Sequence, residues 1–415
     1  MADAVPLQSR FRRLAFLGAL GPGLIVMLAD TDAGSIITAA QSGAQWGYRL
    51  LLVQLVLVPI LFIVQELTVR LGLVTGRGHG ELILDHYGRG WAWLSVSTLA
   101  LACVGALITE LSGLAGVGLL FGVPVPLTMV ITVGTIILVV TTGSYRSVEG
   151  VAVTLGLFEL AFVWVAWEAH PDGQQMLMGL GNLPLSDHGY LYLVTANIGA
   201  VIMPWMIFYQ QSAVVEKGLS TEHLAIARGE TAAGALITQL IMAAVLVAVA
   251  ATIGIAKPDA PLDTVQEISA ALTPFLGESA GRIIFALGMS GAALVATIVV
   301  SLTAAWGVGE VAGYKRSLSH HPLEAPWFYG IFSLSLVLAA ILVASGVNLI
   351  ALSIGVQVVN ALLLPIVLGF LFLLARNALP APYRLRGAYA WIVGFVVFAT
   401  AGFGIAAGIF GLVTN

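Results

Sequence analysis

Two acidic residues, Asp30 and Asp32, interrupt an otherwise apolar run from Gly21 to Ser35, Gly-Pro-Gly-Leu-Ile-Val-Met-Leu-Ala-Asp-Thr-Asp-Ala-Gly-Ser. A charge at the centre of a bilayer costs at least a few kcal/mol on insertion, so an acid retained there signals function. Short polar residues beside Gly34 also favour unwinding. A second run, Asn197-Ile-Gly-Ala-Val-Ile-Met-Pro-Trp-Met206, carries Gly199 and Pro204 at the corresponding depth. Pro204 removes a backbone donor and frees carbonyls one turn earlier, around Ala200. No Lys or Arg within the apolar runs lies near Asp32, so a cation arriving from water is the counter-ion this sequence leaves to it. The donors at hand are the Asp32 carboxylate, the Ser35 hydroxyl, the Ala200 carbonyl and the Met203 thioether. A mostly oxygen set suits Mg²⁺ or Mn²⁺, one thioether leans toward softer transition metals, and Na⁺ fits the same oxygens. Met203 has an alternative reading as a packing residue.

The elements that hold these groups are membrane helices. Of 415 residues, 59% are hydrophobic and only 9% charged, with a mean hydropathy of +1.00; soluble domains carry roughly 25% charged residues. Apolar runs long enough to cross the hydrocarbon fall near 14–40, 48–75, 92–121, 125–142, 151–169, 189–212, 232–256, 281–306, 326–346, 349–375 and 388–412. The strand alternation of a membrane barrel is absent. The reading is therefore an all-α, polytopic protein with 11 transmembrane helices in a single transmembrane domain, 1–415. The Lys and Arg side chains test this count. With the N-terminus cytoplasmic and the C-terminus extracytoplasmic, only Arg49, Lys257 and Arg282 of the 17 fall outside, as the positive-inside rule requires. The basic and then apolar stretch from Arg10 to Ala29 is read as part of span 1 and not as a signal peptide, since no convincing cleavage site follows. Net charge −4 excludes a nucleic-acid partner, and the single Cys103 excludes a disulfide framework or a cysteine metal cluster.

Spans 1 and 6 lie five apart and so run in opposite directions. Matching breaks in oppositely oriented halves point to an inverted-repeat transporter with its site at the midplane, although Gly and Pro are also common in membrane helices generally. The repeats would be 14–169 and 189–375, leaving 388–412 as accessory helix 11.

Several motifs carry a family resemblance along nearly the whole chain. Gly21-Pro-Gly, Asp32-Ala-Gly-Ser35, Gln41-Ser-Gly-Ala-Gln-Trp-Gly-Tyr48, Gln65 with Leu71-Gly-Leu-Val-Thr-Gly76, Ala200-Val-Ile-Met-Pro204, and Gln357-Val-Val continuing to Pro365 together resemble the Nramp divalent-metal transporters. The resemblance implies a LeuT-like 5+5 inverted repeat with broken helices 1 and 6. It also implies metal ligation by Asp32, Ser35, the Ala200 carbonyl and Met203, with Gln357 approaching in some states. The departures are informative. The family's Asp-Pro-Gly-Asn becomes Asp32-Ala-Gly-Ser35, replacing an amide by a shorter hydroxyl and widening the cavity. Its sixth-helix His is Trp205. Glu110 falls close to the third-helix Glu only if one residue is deleted between it and Phe121. Ala293, Leu294 and Val295 occupy the place of a polar eighth-helix stretch. These departures resemble the Nramp-related magnesium transporters. The expectation is a carrier that prefers Mg²⁺, hydrated or stripped, and can also pass Mn²⁺ by alternating access with weak or no proton coupling. The competitor is a conventional proton-coupled Mn²⁺/Fe²⁺ importer.

Other residues carry secondary expectations. Asp30, Gln65, Glu110, Glu159 and Trp205 are candidates for an ion or proton path; Asp30 could attract cations or bind ordered water, and Glu159 could line a wet path or stay neutral. Glu66 is expected to pair with Arg70, and Glu310 to face the cytoplasmic interface. Gly76-Arg-Gly-His-Gly80 is a loop, because no strand precedes it and no Lys-Ser/Thr follows. An intramembrane aspartic protease would need a second Asp on a facing span, which is lacking, so no enzyme is expected. A transport-inactive sensor would be expected to carry a signalling domain. The expected partners are the transported Mg²⁺ or Mn²⁺ and the lipid bilayer, with no cofactor and no obligate protein partner. The cell inner membrane is the expected location.

Overall fold

The computed structural model describes residues 21–142, 160–256, 261–272, 277–318 and 320–413, and among these every regular element is a helix. The first span is split into α1 (Pro22–Asp30) and α2 (Ala33–Trp46), followed by a 3₁₀ turn, Gly47–Leu50. Next come α3 (Leu51–Thr75), α4 (His79–Tyr87), α5 (Arg89–Leu120), α6 (Val125–Thr142), α7 (Ala161–Glu168) and α8 (Gly173–Gly181). The second split span is α9 (His188–Val201) and α10 (Pro204–Glu216). The chain continues through α11 (Leu224–Ala256), α12 (Val265–Leu272), α13 (Glu278–Ala312), α14 (Pro326–Ala344), α15 (Leu349–Asn377) and α16 (Gly387–Val413).

Both expected breaks are present, and local chemistry accounts for each. Pro22 opens α1 at the position where a missing N–H costs nothing. At the break, the Asp32 carboxylate accepts from the Ser35 amide at 2.6 Å and so caps α2. In the second span Met203 is extended and Pro204 begins α10. Nine helical stretches of the described residues are long and apolar enough to cross a membrane. One of them, Ala33–Thr75, contains parts of both expected spans 1 and 2. The expected fifth span is described only over Ala161–Glu168, and Glu159 lies outside the described residues. The count of eleven therefore stands as an expectation. Span 7 begins earlier than expected, because α11 runs from Leu224.

Within the bundle, α11 packs on α2 and α3, α13 on α5, and α9 on α15. At two crossings only glycine fits: a Cβ at Gly199 would stand 1.8 Å from the Gln357 carbonyl oxygen, and one at Gly43 would stand 2.3 Å from that of Leu246. Small residues are how membrane helices gain such backbone contact.

Polar clasps close the two ends. At one end buried Glu66 holds Arg70 at 2.5 Å, as expected, and also Arg228 at 2.6 Å. Arg70 further donates to the Tyr383 carbonyl at 3.2 Å, and Arg316 pairs with Glu81 at 2.5 Å. Glu310 departs from its expected interfacial position. It is buried, accepting from the Gly80 amide at 2.8 Å and the Ser212 hydroxyl at 2.6 Å. With these donors to hold it, the carboxyl turns inward against the Gly78–Gly80 turn. At the other end Gln41 accepts from the Leu262 amide at 2.9 Å, and Trp46 meets Tyr190 edge-on.

Candidate metal site

The two breaks meet. Ser35, in the first turn of α2, donates its hydroxyl to the Ala200 carbonyl near the end of α9 at 2.9 Å. The freed carbonyl of one broken helix thus faces the first turn of the other, with Asp32 and Met203 flanking them in sequence; both are fully buried. Asp32 Oδ1 is used in capping, whereas Oδ2 receives no N–H or hydroxyl hydrogen bond from the described residues. The Glu110 carboxyl of α5 contacts the same carboxylate and accepts the Ala33 amide at 3.0 Å. Sequence alone reached Glu110 only through an assumed deletion; the packing of α5 on α2 brings it to the first break.

Gln357 also arrives. Its Nε2 would lie 2.2 Å from a Cβ at Gly34 and has no hydrogen-bond partner among the described residues, while Oε1 accepts from Asn360 at 2.9 Å. A half-turn of the amide would exchange donor for acceptor toward the break. Met203 carries a partner that sequence did not anticipate: the Trp205 indole N–H donates to its sulfur at 3.2 Å. Trp205 therefore occupies the thioether instead of offering a titrating group. Asp30 is buried at the end of α1. Gln65 is buried in α3, and no hydrogen bond among the described residues joins it to this cluster. Nowhere among the described residues do three His, Cys, Asp or Glu side chains converge on a metal position. An ion here would need mixed donors: carboxylate, hydroxyl, backbone carbonyl and thioether.

Two polar features escaped the sequence reading. Asn197 of α9 donates to Ser42 at 2.8 Å and accepts from Gln54 at 2.6 Å, tying α9 to α2 and α3. The amide residues within apolar runs were the available signal. His79 is fully buried against the Phe208 ring, with Nδ1 at 3.1 Å from Gln211 Oε1. Gln211 also donates to the Arg77 carbonyl at 2.9 Å. Burial pushes the His79 imidazole down to about 4, opposed in part by the Gln211 contact. The glycine-rich loop is thereby fastened to α10, the half-helix that begins at the second break.

Discontinuous helices that meet within the bundle characterise inverted-repeat membrane transporters, and the overall fold is LeuT-like. Solved structures with this fold include a manganese transporter from Eremococcus coleocola (TM-score 0.77, 19% identity, covering 100% of this chain and 90% of that one). MhsT in complex with L-phenylalanine gives a TM-score of 0.62 at 13% identity over 95% of this chain and 98% of that one. The chain belongs to the Nramp family, described as natural resistance-associated macrophage protein-like, which it matches over residues 23–409. Among curated relatives, the divalent metal cation transporter MntH of Staphylococcus aureus (strain Newman) is 33% identical over 216 residues, 50% of this chain and 47% of the relative. The match thus spans about half the length of that relative. Family and apolar helices together make this a multi-pass membrane protein.

Proposed function

We propose that the chain is a divalent-metal carrier working by alternating access around the Asp32 break, not an enzyme, and that it prefers Mg²⁺ while also passing Mn²⁺. The observation that carries the ion preference is the Trp205–Met203 contact. A thioether already accepting a hydrogen bond is a poorer ligand, and sulfur is the one donor here that favours softer metals. The remaining donors are oxygens: Asp32, the Ser35 hydroxyl, the Ala200 carbonyl and, after an amide turn, Gln357. Such a set suits Mg²⁺, which keeps several of its waters. Trp205 also offers no titrating group, in keeping with weak coupling. The proposed orientation has the Arg70, Arg228 and Arg316 end in the cytoplasm of a cell inner membrane, by the positive-inside rule. The repeats are proposed as 14–169 and 189–375, with 388–412 as accessory helix 11.

A second reading, a proton-coupled Mn²⁺/Fe²⁺ importer, is favoured by the contact between Glu110 and Asp32. A dication drawn to Asp32 would meet there a second acidic side chain able to carry a proton. The named activities of the MntH and manganese-transporter relatives lean the same way. Proteoliposomes carrying a Mg²⁺ reporter and a pH dye separate the readings. Mg²⁺ uptake with little lumenal acidification is the expected result. Absent Mg²⁺ uptake, with Mn²⁺ entry that acidifies the lumen, would establish the second reading.

A further inference from the structure

A cavity of about 750 Å³ opens between the end of α15 and the start of α16. Three arginines, Arg376, Arg384 and Arg386, are among its lining residues. None of the three has a carboxylate partner among the described residues. Arg376 stacks over the Phe372 ring at 5.7 Å, and Arg384 donates to the Leu379 carbonyl at 2.9 Å, so both are held in place. The connecting loop folds back through a bond from the Leu385 amide to the Ala375 carbonyl at 3.0 Å. Three like charges gathered around one space repel each other unless an anion joins them.

Part of the cavity's lining is apolar and exposed. Trp391, Phe395 and Phe398 line it and are 84%, 74% and 63% exposed along one stripe of α16. In a membrane helix such a stripe faces lipid, so the cavity's lining combines arginines with a lipid-facing apolar stripe. The loop also meets Arg70, whose guanidinium donates to Tyr383, at the arginine-rich end of the bundle. By the positive-inside rule that end faces the cytoplasm, where the leaflet is rich in anionic lipid.

We propose that this cavity binds the headgroup of an anionic phospholipid, with the phosphate among Arg376, Arg384 and Arg386 and an acyl chain along Phe395 and Phe398. The site is separate from the Asp32 break and does not depend on which ion is carried. It also leaves the orientation open to independent test, because binding in detergent has no sidedness.

The test is native mass spectrometry of the full chain in an uncharged detergent, titrated with phosphatidylglycerol or with phosphatidylcholine. Phosphatidylglycerol is expected to be retained preferentially. Each arginine removed should weaken it on the order of fivefold, so the paired substitution Arg376→Gln with Arg386→Gln should lose roughly twenty-fivefold. Arg282→Gln, at the far end of α13, should leave retention unchanged. Millimolar inorganic phosphate should not displace the lipid, since it lacks the acyl contact. Equal retention of the two lipids by the unaltered chain would overturn the proposal whether or not the variants fold. So would full displacement by inorganic phosphate, which would make this a free-anion site, or undiminished binding by a monodisperse double variant.

Discussion

Trp205→Phe isolates the contact on which the ion preference rests. The substitution keeps an aromatic ring in a fully buried position and deletes the N–H that points at the Met203 sulfur at 3.2 Å. A neutral hydrogen bond contributes a net 0.5–1.5 kcal/mol, roughly. Releasing the sulfur should therefore tighten a thiophilic ion such as Cd²⁺ by about two- to twelvefold. Mg²⁺, which gains nothing from sulfur, should bind as before. Calorimetric titration of the purified chain with each ion measures both quantities, and a double-mutant cycle with Met203→Ala assigns the effect. In the Met203→Ala background the Trp205→Phe gain should vanish. Mg²⁺ flux should survive Met203→Ala largely intact. The smaller ring should lower thermal stability, by about 1–3 kcal/mol, so binding is compared well below the melting point. Unchanged Cd²⁺ affinity in Trp205→Phe, or a gain that persists without Met203, would refute the reasoning.

Asp32→Ala should abolish metal uptake in proteoliposomes while the protein still elutes as a folded species, and normal uptake would remove Asp32 from the site. Gly199→Ala drives a Cβ to 1.8 Å from the Gln357 carbonyl oxygen, so α9 and α15 must part. The expected cost is about 1–3 kcal/mol, as for overpacking elsewhere, seen as a lower melting temperature together with reduced uptake. His79 is held at about 4 by burial against an ordinary value near 6.5. The opened turn therefore binds a proton that the closed turn refuses, and closure is strongest above about pH 6.5. That stability is lost as pH falls toward 4, by an amount on the order of 3 kcal/mol. Hydrogen exchange over residues 78–87, corrected for intrinsic rates, should accelerate at pH 5 relative to pH 7.5; His79→Phe should flatten the difference.

Much of the fold was legible in the chain, because insertion into lipid leaves a strong one-dimensional signal. Long apolar runs must be helices that satisfy their own backbone, and a Pro or a buried acid within one is costly enough to stand out. The split of span 1 at Thr31 and Asp32 and that of span 6 before Pro204 were read from such local costs. The Glu66–Arg70 pair was legible for the same reason, since its partners sit one helical turn apart.

The donors at the break were legible, Gln357 through the family resemblance, but their contacts across helices were not. The Ser35–Ala200 bond, the arrival of Glu110 at Asp32 and the amide of Gln357 against Gly34 join residues far apart in sequence. Trp205 read as a missing histidine, yet its indole occupies the sulfur of Met203. Glu310 read as an interfacial acid, but donors from two other segments turn it inward. The two breaks were readable in the chain, since they follow from the cost of each residue in lipid. How those donors meet, and that Trp205 engages the Met203 sulfur, came only from helix packing, because packing distances are encoded by no local propensity.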